Sequence, residues 1–227
     1  SEDDLYNRMS KNPDLAAEVK LLLDQSEDVD TKFKHPFTML CAGPTKCGKS
    51  FLIKRIIKHR FIDPMPEKII WCYSQWQPIS DQMKDVTFDE SLADVDDHIN
   101  GVTPTLLIID DLQDEASADT TVADLFKRGS HHRNISVIYI VQNLFFQGKK
   151  CRDISTNANY VILFNNPADR MQVSKFAQRI GNYNFVMDTF NDVVCNKPHA
   201  YLIFDFTQSA PSRIRYRTGI PTEYLFH

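Results

Sequence analysis

The sequence predicts an α/β fold: an αβα sandwich with a mostly parallel central sheet and a strand pair near its C-terminal end. Three observations carry this expectation. Short, almost continuously apolar runs recur along the chain: FTMLCA (37–42), KIIWCY (68–73), TLLIID (105–110), ISVIYIV (135–141) and YVILFN (160–165). Helix-patterned segments separate several of them, as in parallel strands covered on both faces. One strand-to-helix junction carries the glycine-containing loop CAGPTKCGKS (41–50).

Taken in order, residues 1–11 have no periodicity. Asn12-Pro13 is a helix start, with Asn12 as N-cap and Pro13 at the first helical position. Leu15, Val19, Leu22 and Leu23 then form a helical apolar stripe. The polar stretch SEDVDTKFKHP follows, so residues 1–34 are expected to be an acidic tail, helix and linker, and 35–227 one main domain. Within the main domain, SFLIKRIIKHRF (50–61) is a helix with Phe51, Ile53, Ile56 and Ile57 inward. Residues 115–129 and 169–180 are the next helices. HAYLIFDF (199–206) and RIRYRT (213–218) are the terminal strand pair. There is no internal repeat and no low-complexity tract.

A chain of 227 residues, 42% hydrophobic and 25% charged, suits one globular domain with a small appendage. No apolar run approaches the roughly 20 residues needed to span a bilayer, so no membrane segment is expected. The acidic first residues do not resemble a secretory signal. Five cysteines (41, 47, 72, 151 and 195) include no C-x-x-C pair, which points to free thiols in a reducing compartment, not to a secreted protein or a zinc site. The net charge of −4 is uneven: residues 1–30 hold nine acids and three bases, a net −6, leaving +2 on the remainder. A basic surface on the main domain is compatible with a nucleic-acid partner, although charge alone does not identify one.

Gly43, Gly48, Lys49 and Ser50 satisfy G-x-x-x-x-G-K-[ST], the phosphate-binding P-loop, in the strand–loop–helix context that the motif needs. The candidate nucleotide-binding residues are Gly43, Pro44, Thr45, Lys46, Cys47, Gly48, Lys49, Ser50 and Phe51. The loop's backbone N–H groups and the helix N-terminus favour an anion. Lys49 is expected at the β- and γ-phosphates of ATP, and Ser50 on Mg2+. LLIIDD (106–111) reads as the second half of such a site, the Walker B element. Asp110 ends a buried strand, where an uncompensated carboxylate is costly, and a Mg2+ shared with Ser50 accounts for it. Asp111 is the candidate base that orients the attacking water; the alternative is a loop cap. The long separation of Lys49 from Asp110 implies that the Walker B strand neighbours the P-loop strand, with an insertion in sequence between them. That arrangement marks the RecA-like (ASCE) P-loop NTPases, and the absence of an NKxD motif weakens a GTPase reading.

Gln142 ends the fourth apolar strand. Strand carboxyl ends face the ligand crevice of a parallel sheet, so Gln142 is expected beside the γ-phosphate, as a sensor. Arg133 precedes the same strand. Such a strand is roughly 20 Å long, so Arg133 is the candidate to reach a neighbouring subunit's nucleotide as an arginine finger in trans. Arg128 competes for that role, and a helix-end charge or surface ion pair is the plainer reading of Arg133.

The blocks RGSHHRNISVIYIVQNLFFQG and ISTNANYVILFNNPADRMQVSKFAQRI resemble the genome-packaging ATPases of Polinton/Maverick elements and adintoviruses. These are relatives of the poxvirus-type packaging ATPase within the FtsK–HerA superfamily. The resemblance covers about residues 35–220, from CAGPTKCGKS to AYLIFDFTQSAPSRIRYRTGI. It implies Lys49 and Ser50 at nucleotide and Mg2+, Asp110 and Asp111 as the Walker B pair, Gln142 as sensor and Arg133 as finger. It further implies a homo-oligomeric ring, pentameric or hexameric, that pumps double-stranded DNA into a capsid and docks on a capsid or capsid-vertex protein. The setting would be an infected host cell, in nucleus or cytoplasm. One departure is that Ala168, not Arg, follows Asn166-Pro167, with Arg170 two positions on. Candidate DNA-gripping residues are Lys149, Lys150 and Arg152, read as a loop after the sensor strand; a solvated basic loop is the alternative.

Two other function classes are open at this level. A superfamily 3 helicase or replication ATPase would use Asn143 as its sensor. A regulatory switch would bind ATP but barely hydrolyse it. Four further features carry less. Arg213, Arg215 and Arg217 alternate, as on one face of a strand, for phosphates, a neighbouring subunit or a protected sheet edge. His131-His132 lacks metal-ligand spacing. Cys47, near a helix N-terminus, is a space-filler whose pKa would be lowered there. Trp71 and Trp76 flank the end of the second strand, where core packing is the preferred reading.

Overall fold

The structure is a computed structural model that describes residues 30–73, 83, 85–92, 99–110, 116–129, 134–144, 149–195 and 197–220. The chain divides into two units, Ser1–Lys32 and Phe33–His227. In the first, residues 30–32 are described, and the Lys32 N–H donates to Asp30 Oδ1 at 3.0 Å.

The centre of the second unit is an eight-stranded sheet. The strands are β2 (Thr38–Ala42), β4 (Lys68–Tyr73), β5 (Val86–Asp89), β6 (Thr105–Asp110), β7 (Ile135–Val141), β8 (Tyr160–Phe164), β9 (Tyr201–Asp205) and β10 (Tyr216–Arg217), in the spatial order β10-β9-β8-β2-β7-β6-β4-β5. From β8 to β5 all neighbours pair in parallel, while β9 is antiparallel to β8 and β10 to β9. The sheet is thus mostly parallel with a terminal antiparallel pair. A two-stranded parallel ribbon of β1 (Phe33–Lys34) and β3 (Ile62–Asp63) is not hydrogen-bonded into the sheet but packs on β8, with the Phe33 and Tyr160 ring centroids 4.8 Å apart.

Strand side chains alternate between faces, and each face has its own core. On one, Met39, Cys41, Ile108, Ile138 and Ile140 pack with Leu52, Ile53 and Ile56 of α1 (Lys49–Lys58). On the other, Leu40, Leu107, Val137 and Tyr139 pack with Phe176 of α4 (Met171–Arg179) and with Val186 and Phe190 of α5 (Tyr183–Val193). Burial on both faces is why these strands read as unbroken apolar runs.

Several expectations need correction. The Walker B strand β6 does not neighbour the P-loop strand β2; β7 lies between them and pairs with both. Phe51 does not face inward: it is 62% exposed, and Leu52 takes the buried position. The expected helix 115–129 is α2 (Ala116–Asp124) continued by a wider, π-helical turn, Leu125–Gly129. RIRYRT is a 3-10 turn (Ser212–Ile214) before the two-residue β10, so its arginines do not share one strand face. Lys149, Lys150 and Arg152 lie not on a loop but in the first half of α3 (Lys149–Asn157). That helix lacks a sequence signature because among its described side chains only Ile154 and Ser155 are buried. Helix α5 adds an element that the sequence expectation lacks, although Val186 and Phe190 carry the i, i+4 signal. No helix among the described residues is long and apolar enough to cross a membrane.

Candidate functional site

The site is built at the carboxyl edge of β2. The chain leaves the sheet at Ala42, and the Gly43 N–H donates to Val141 O at 3.2 Å, tying the loop to the end of β7. Gly43 is buried, and a Cβ added there would lie 2.6 Å from Phe164 Cβ and 2.7 Å from Cys47 Sγ. Only glycine lets the loop pass this close to β8. The turn tightens where the Cys47 N–H donates to Pro44 O at 3.2 Å. Lys46 has φ 65° and Gly48 φ 109°, so two left-handed residues bend the backbone into a concave strap before α1 begins. No side chain caps α1, which leaves its first N–H groups available to an anion.

Lys49 folds back over the strap. Its Nζ donates to Gly43 O at 2.6 Å and Pro44 O at 3.0 Å, spanning the loop from within. The next residue turns the other way: Ser50 Oγ donates to Asp110 Oδ2 at 3.1 Å. Lys54, one turn further along α1, lies 5.8 Å from the Trp71 ring centroid. Burial lowers its pKa and the Asp110 carboxylate opposes that shift. A hydroxyl and a carboxylate in contact beside a lysine-spanned loop form an oxygen donor set suited to Mg2+ next to a polyphosphate. The residues therefore fit both groups that the motif implies.

The register fixes what lies on either side. Ala42 pairs with Val141, so Gln142 follows directly beside Gly43, and Asp110 pairs with Ile140 one strand further. Gln142 is exposed at this edge. The backbone after it is held by Gln172 of α4: the Leu144 N–H donates to Gln172 Oε1 at 2.8 Å, and Gln172 Nε2 donates to Asn143 Oδ1 and Asp169 Oδ2, each at 3.0 Å. No signal in the sequence pointed to Gln172.

Asp111, Arg133, His131, His132 and Trp76 lie outside the described residues, as does the Arg128 side chain. Asn134, next to Arg133, marks the opposite edge of the sheet: the seven residues of β7 separate it from Gln142 by roughly 26 Å. Arg152 is exposed on α3, and its carbonyl accepts from Thr156 Oγ1 at 2.6 Å. Among the described residues no hydrogen bond or ion pair joins it to the P-loop.

The structure also gives partners to four further residues that the sequence singled out. Arg217 faces no ligand edge; it forms a buried ion pair with Asp205, Nη1 to Oδ2 3.0 Å, and lies over the Phe33 ring. Arg170 donates to Asn191 Oδ1 and Cys195 Sγ, joining α4 to the end of α5. The Cys47 thiol is pushed up, not down, because burial outweighs the pull of Lys49 and of backbone hydrogen bonds. Trp71 is a core residue, stacked on Phe88 at 6.2 Å.

No protein-family model matches the chain, and no curated protein matches its sequence. Solved structures do. The genome packaging NTPase B204 from Sulfolobus turreted icosahedral virus 2, in complex with AMPPCP, superposes with a TM-score of 0.54 at 15% identity, covering 82% of this chain and 99% of that one. Its complex with ATP-gammaS gives 0.51 at 15% identity over 82% and 98%. The pCW3 conjugation coupling protein TcpA with ATPgS gives 0.51 at 12% identity, over 74% of this chain and 57% of that one. At such identities the likeness establishes the fold: this chain has the α/β fold of the P-loop ATPases.

Proposed function

We propose that this chain is an ATP-hydrolysing motor that moves double-stranded DNA into a preformed viral capsid, acting as a homo-oligomeric ring. The observation that carries it is the Ser50–Asp110 hydrogen bond beside the Lys49-spanned loop. It joins the two halves of a nucleotide site on a fold shared with a genome packaging NTPase solved with ATP analogues. The resemblance of residues 35–220 to the Polinton and adintovirus packaging ATPases supports the same reading from sequence.

In this reading Lys49 leaves the Gly43 and Pro44 carbonyls for the β- and γ-phosphates, while Ser50 and Asp110 hold Mg2+. When bound, the metal neutralises charge on the phosphate oxygens. Asp111 orients the attacking water, and Gln142 reports the γ-phosphate to the backbone that Gln172 clamps. Arg133 serves a neighbouring subunit, because the described residue that follows it, Asn134, stands at the edge of the sheet remote from the P-loop. Helix α3, which begins a few residues after the sensor, carries Lys149, Lys150 and Arg152 toward DNA. The ring works in an infected cell, in nucleus or cytoplasm, docked on a capsid-vertex protein. The superfamily 3 alternative needs Asn143 as sensor, yet its Oδ1 is engaged by Gln172.

The test is ATPase rate against protein concentration, with and without blunt double-stranded DNA. Wild type is expected to rise steeply with both and Lys49→Ala to be inactive. Arg133→Ala is expected to be inactive alone and rescued by mixing with Asp111→Asn. A rate linear in protein and indifferent to DNA overturns the motor; strand separation on a forked duplex points to a helicase instead.

A further inference from the structure

The last turn before β9 lies against the P-loop, and its key residue has an uncommon backbone. The Ala200 N–H donates to Lys197 O at 3.3 Å, closing the turn Lys197-Pro198-His199-Ala200. Pro198 occupies the second position and His199, at φ 59°, the third. That is the pattern of a type II turn, whose third position favours Gly or Asn. A histidine here is held in a sparsely populated conformation. Its ring crosses 152 positions of sequence to bring Nδ1 within 3.0 Å of Cys47 O. A carbonyl oxygen only accepts, so Nδ1 carries the proton. A Cβ added at Gly48 would lie 3.6 Å from the same nitrogen and 3.8 Å from His199 Cβ, so the ring lies along the start of α1.

We infer that His199 is a positioning residue for the phosphate-binding loop, which it holds in its binding conformation from outside; this rests on the nucleotide reading above. Across a trans peptide the carbonyl oxygen and the following N–H point in opposite directions. Holding Cys47 O on His199 therefore turns the Gly48 N–H away from the imidazole, free for an anionic ligand. A purely local role is a poor account of the contact. The turn already has its own hydrogen bond, and the start of β9 is held by pairing of Phe164 with Tyr201 and by Thr218 Oγ1 donating to Tyr201 O at 2.8 Å. The His199 contact adds nothing to either, but it reaches the loop from an element remote in sequence.

Three substitutions in the full chain separate the roles. His199→Ala removes the donor. His199→Asn replaces it with a side-chain N–H at the same branch point, in a residue suited to positive φ. His199→Gly removes the donor while relaxing the backbone. Binding of a fluorescent ADP analogue with Mg2+ is titrated for each, and melting is recorded without nucleotide. His199→Ala and His199→Gly are expected to weaken binding about three- to tenfold, the worth of one hydrogen bond. His199→Asn should stay within about twofold of wild type. His199→Gly should melt close to wild type, since relief at positive φ offsets its greater chain entropy. Wild-type affinity in His199→Ala, or failure of Asn to restore what Ala loses, overturns the inference alone. If wild type does not bind, or binds no better than Lys49→Ala, the nucleotide reading falls and this inference with it.

Discussion

Ser50 Oγ donates to Asp110 Oδ2 at 3.1 Å, across 60 positions of sequence and over the end of an intervening strand, β7. Neither residue's own strand or helix explains the contact; the strand order does. Asp110→Asn keeps an oxygen acceptor for Ser50 but removes the charge. The expected result is a folded protein that binds ADP about as well as wild type, with steady-state hydrolysis down about 100-fold or more. That loss corresponds to roughly 3 kcal/mol of charge stabilisation. Retained turnover would separate Asp110 from metal binding.

Gly43 is the tightest point of the loop. Adding one methyl there meets Phe164 Cβ and Cys47 Sγ well inside normal contact, and Phe164 is itself buried in the core. Gly43→Ala is expected to lower stability by about 1–3 kcal/mol, read as the urea midpoint. It should also weaken nucleotide binding, because the strap must shift to make room. A change in binding with no change in stability would mean that the loop yields locally.

Asp205 and Arg217 form a buried pair, with side chains 5% and 11% exposed. Asp205 Oδ1 also accepts from the Thr207 N–H at 3.1 Å and from Thr207 Oγ1 at 2.6 Å. Asp205→Ala removes the counter-charge and leaves the guanidinium with the Ile214 carbonyl, to which Nη1 donates at 2.8 Å, and should cost about 3 kcal/mol in chemical denaturation. Asp205→Leu combined with Arg217→Met should recover much of that. Loss of DNA-dependent activity in Arg217→Ala without loss of stability would revive a ligand role for this arginine.

His35 links the amino edges of two strands. Asn134 Nδ2 donates to Val102 O, so its Oδ1 must face His35 and accept from Nε2 at 3.0 Å. Nδ1 then accepts from Ser136 Oγ at 2.6 Å, while Ser136 Oγ accepts the Phe37 N–H. Burial pushes the His35 pKa below its ordinary value of 6.5, and the Asn134 hydrogen bond only partly opposes this. The unfolded chain therefore binds the proton more readily. His35 stabilises the fold fully above about pH 6.5 and loses that contribution as pH falls through its lower folded value. Melting temperature should drop between pH 7 and 5 in wild type, and less steeply in His35→Gln. Equal slopes would assign the acid sensitivity to other groups.

Much of this architecture was legible in the chain. The five central strands were visible because each is buried on both faces and so is almost continuously apolar, as in β7, where Ser136 is the one small polar residue between Ile135 and Val141. The P-loop pattern was legible because it is local: Gly43, Gly48, Lys49 and Ser50 fall within eight residues. Helix α3 escaped notice because it presents a single large apolar side chain, Ile154, to the core. Ribbon β1–β3 was missed because two residues per strand carry no period.

By itself, then, the sequence determined the local objects: which runs become strands, where the phosphate loop sits, and which carboxylate ends a buried strand. Backbone sterics and side-chain periodicity act over a few residues and leave their mark in composition. Only the tertiary structure decided which of these objects meet. Strand order is a global property, so it was the fold that put β7 between the P-loop and Walker B strands. The fold also buried Arg217 against Asp205 and raised the Cys47 pKa by burial, where the helix terminus alone would lower it. And it brought His199 onto the carbonyl of Cys47, a contact made by packing that leaves no pattern in the chain.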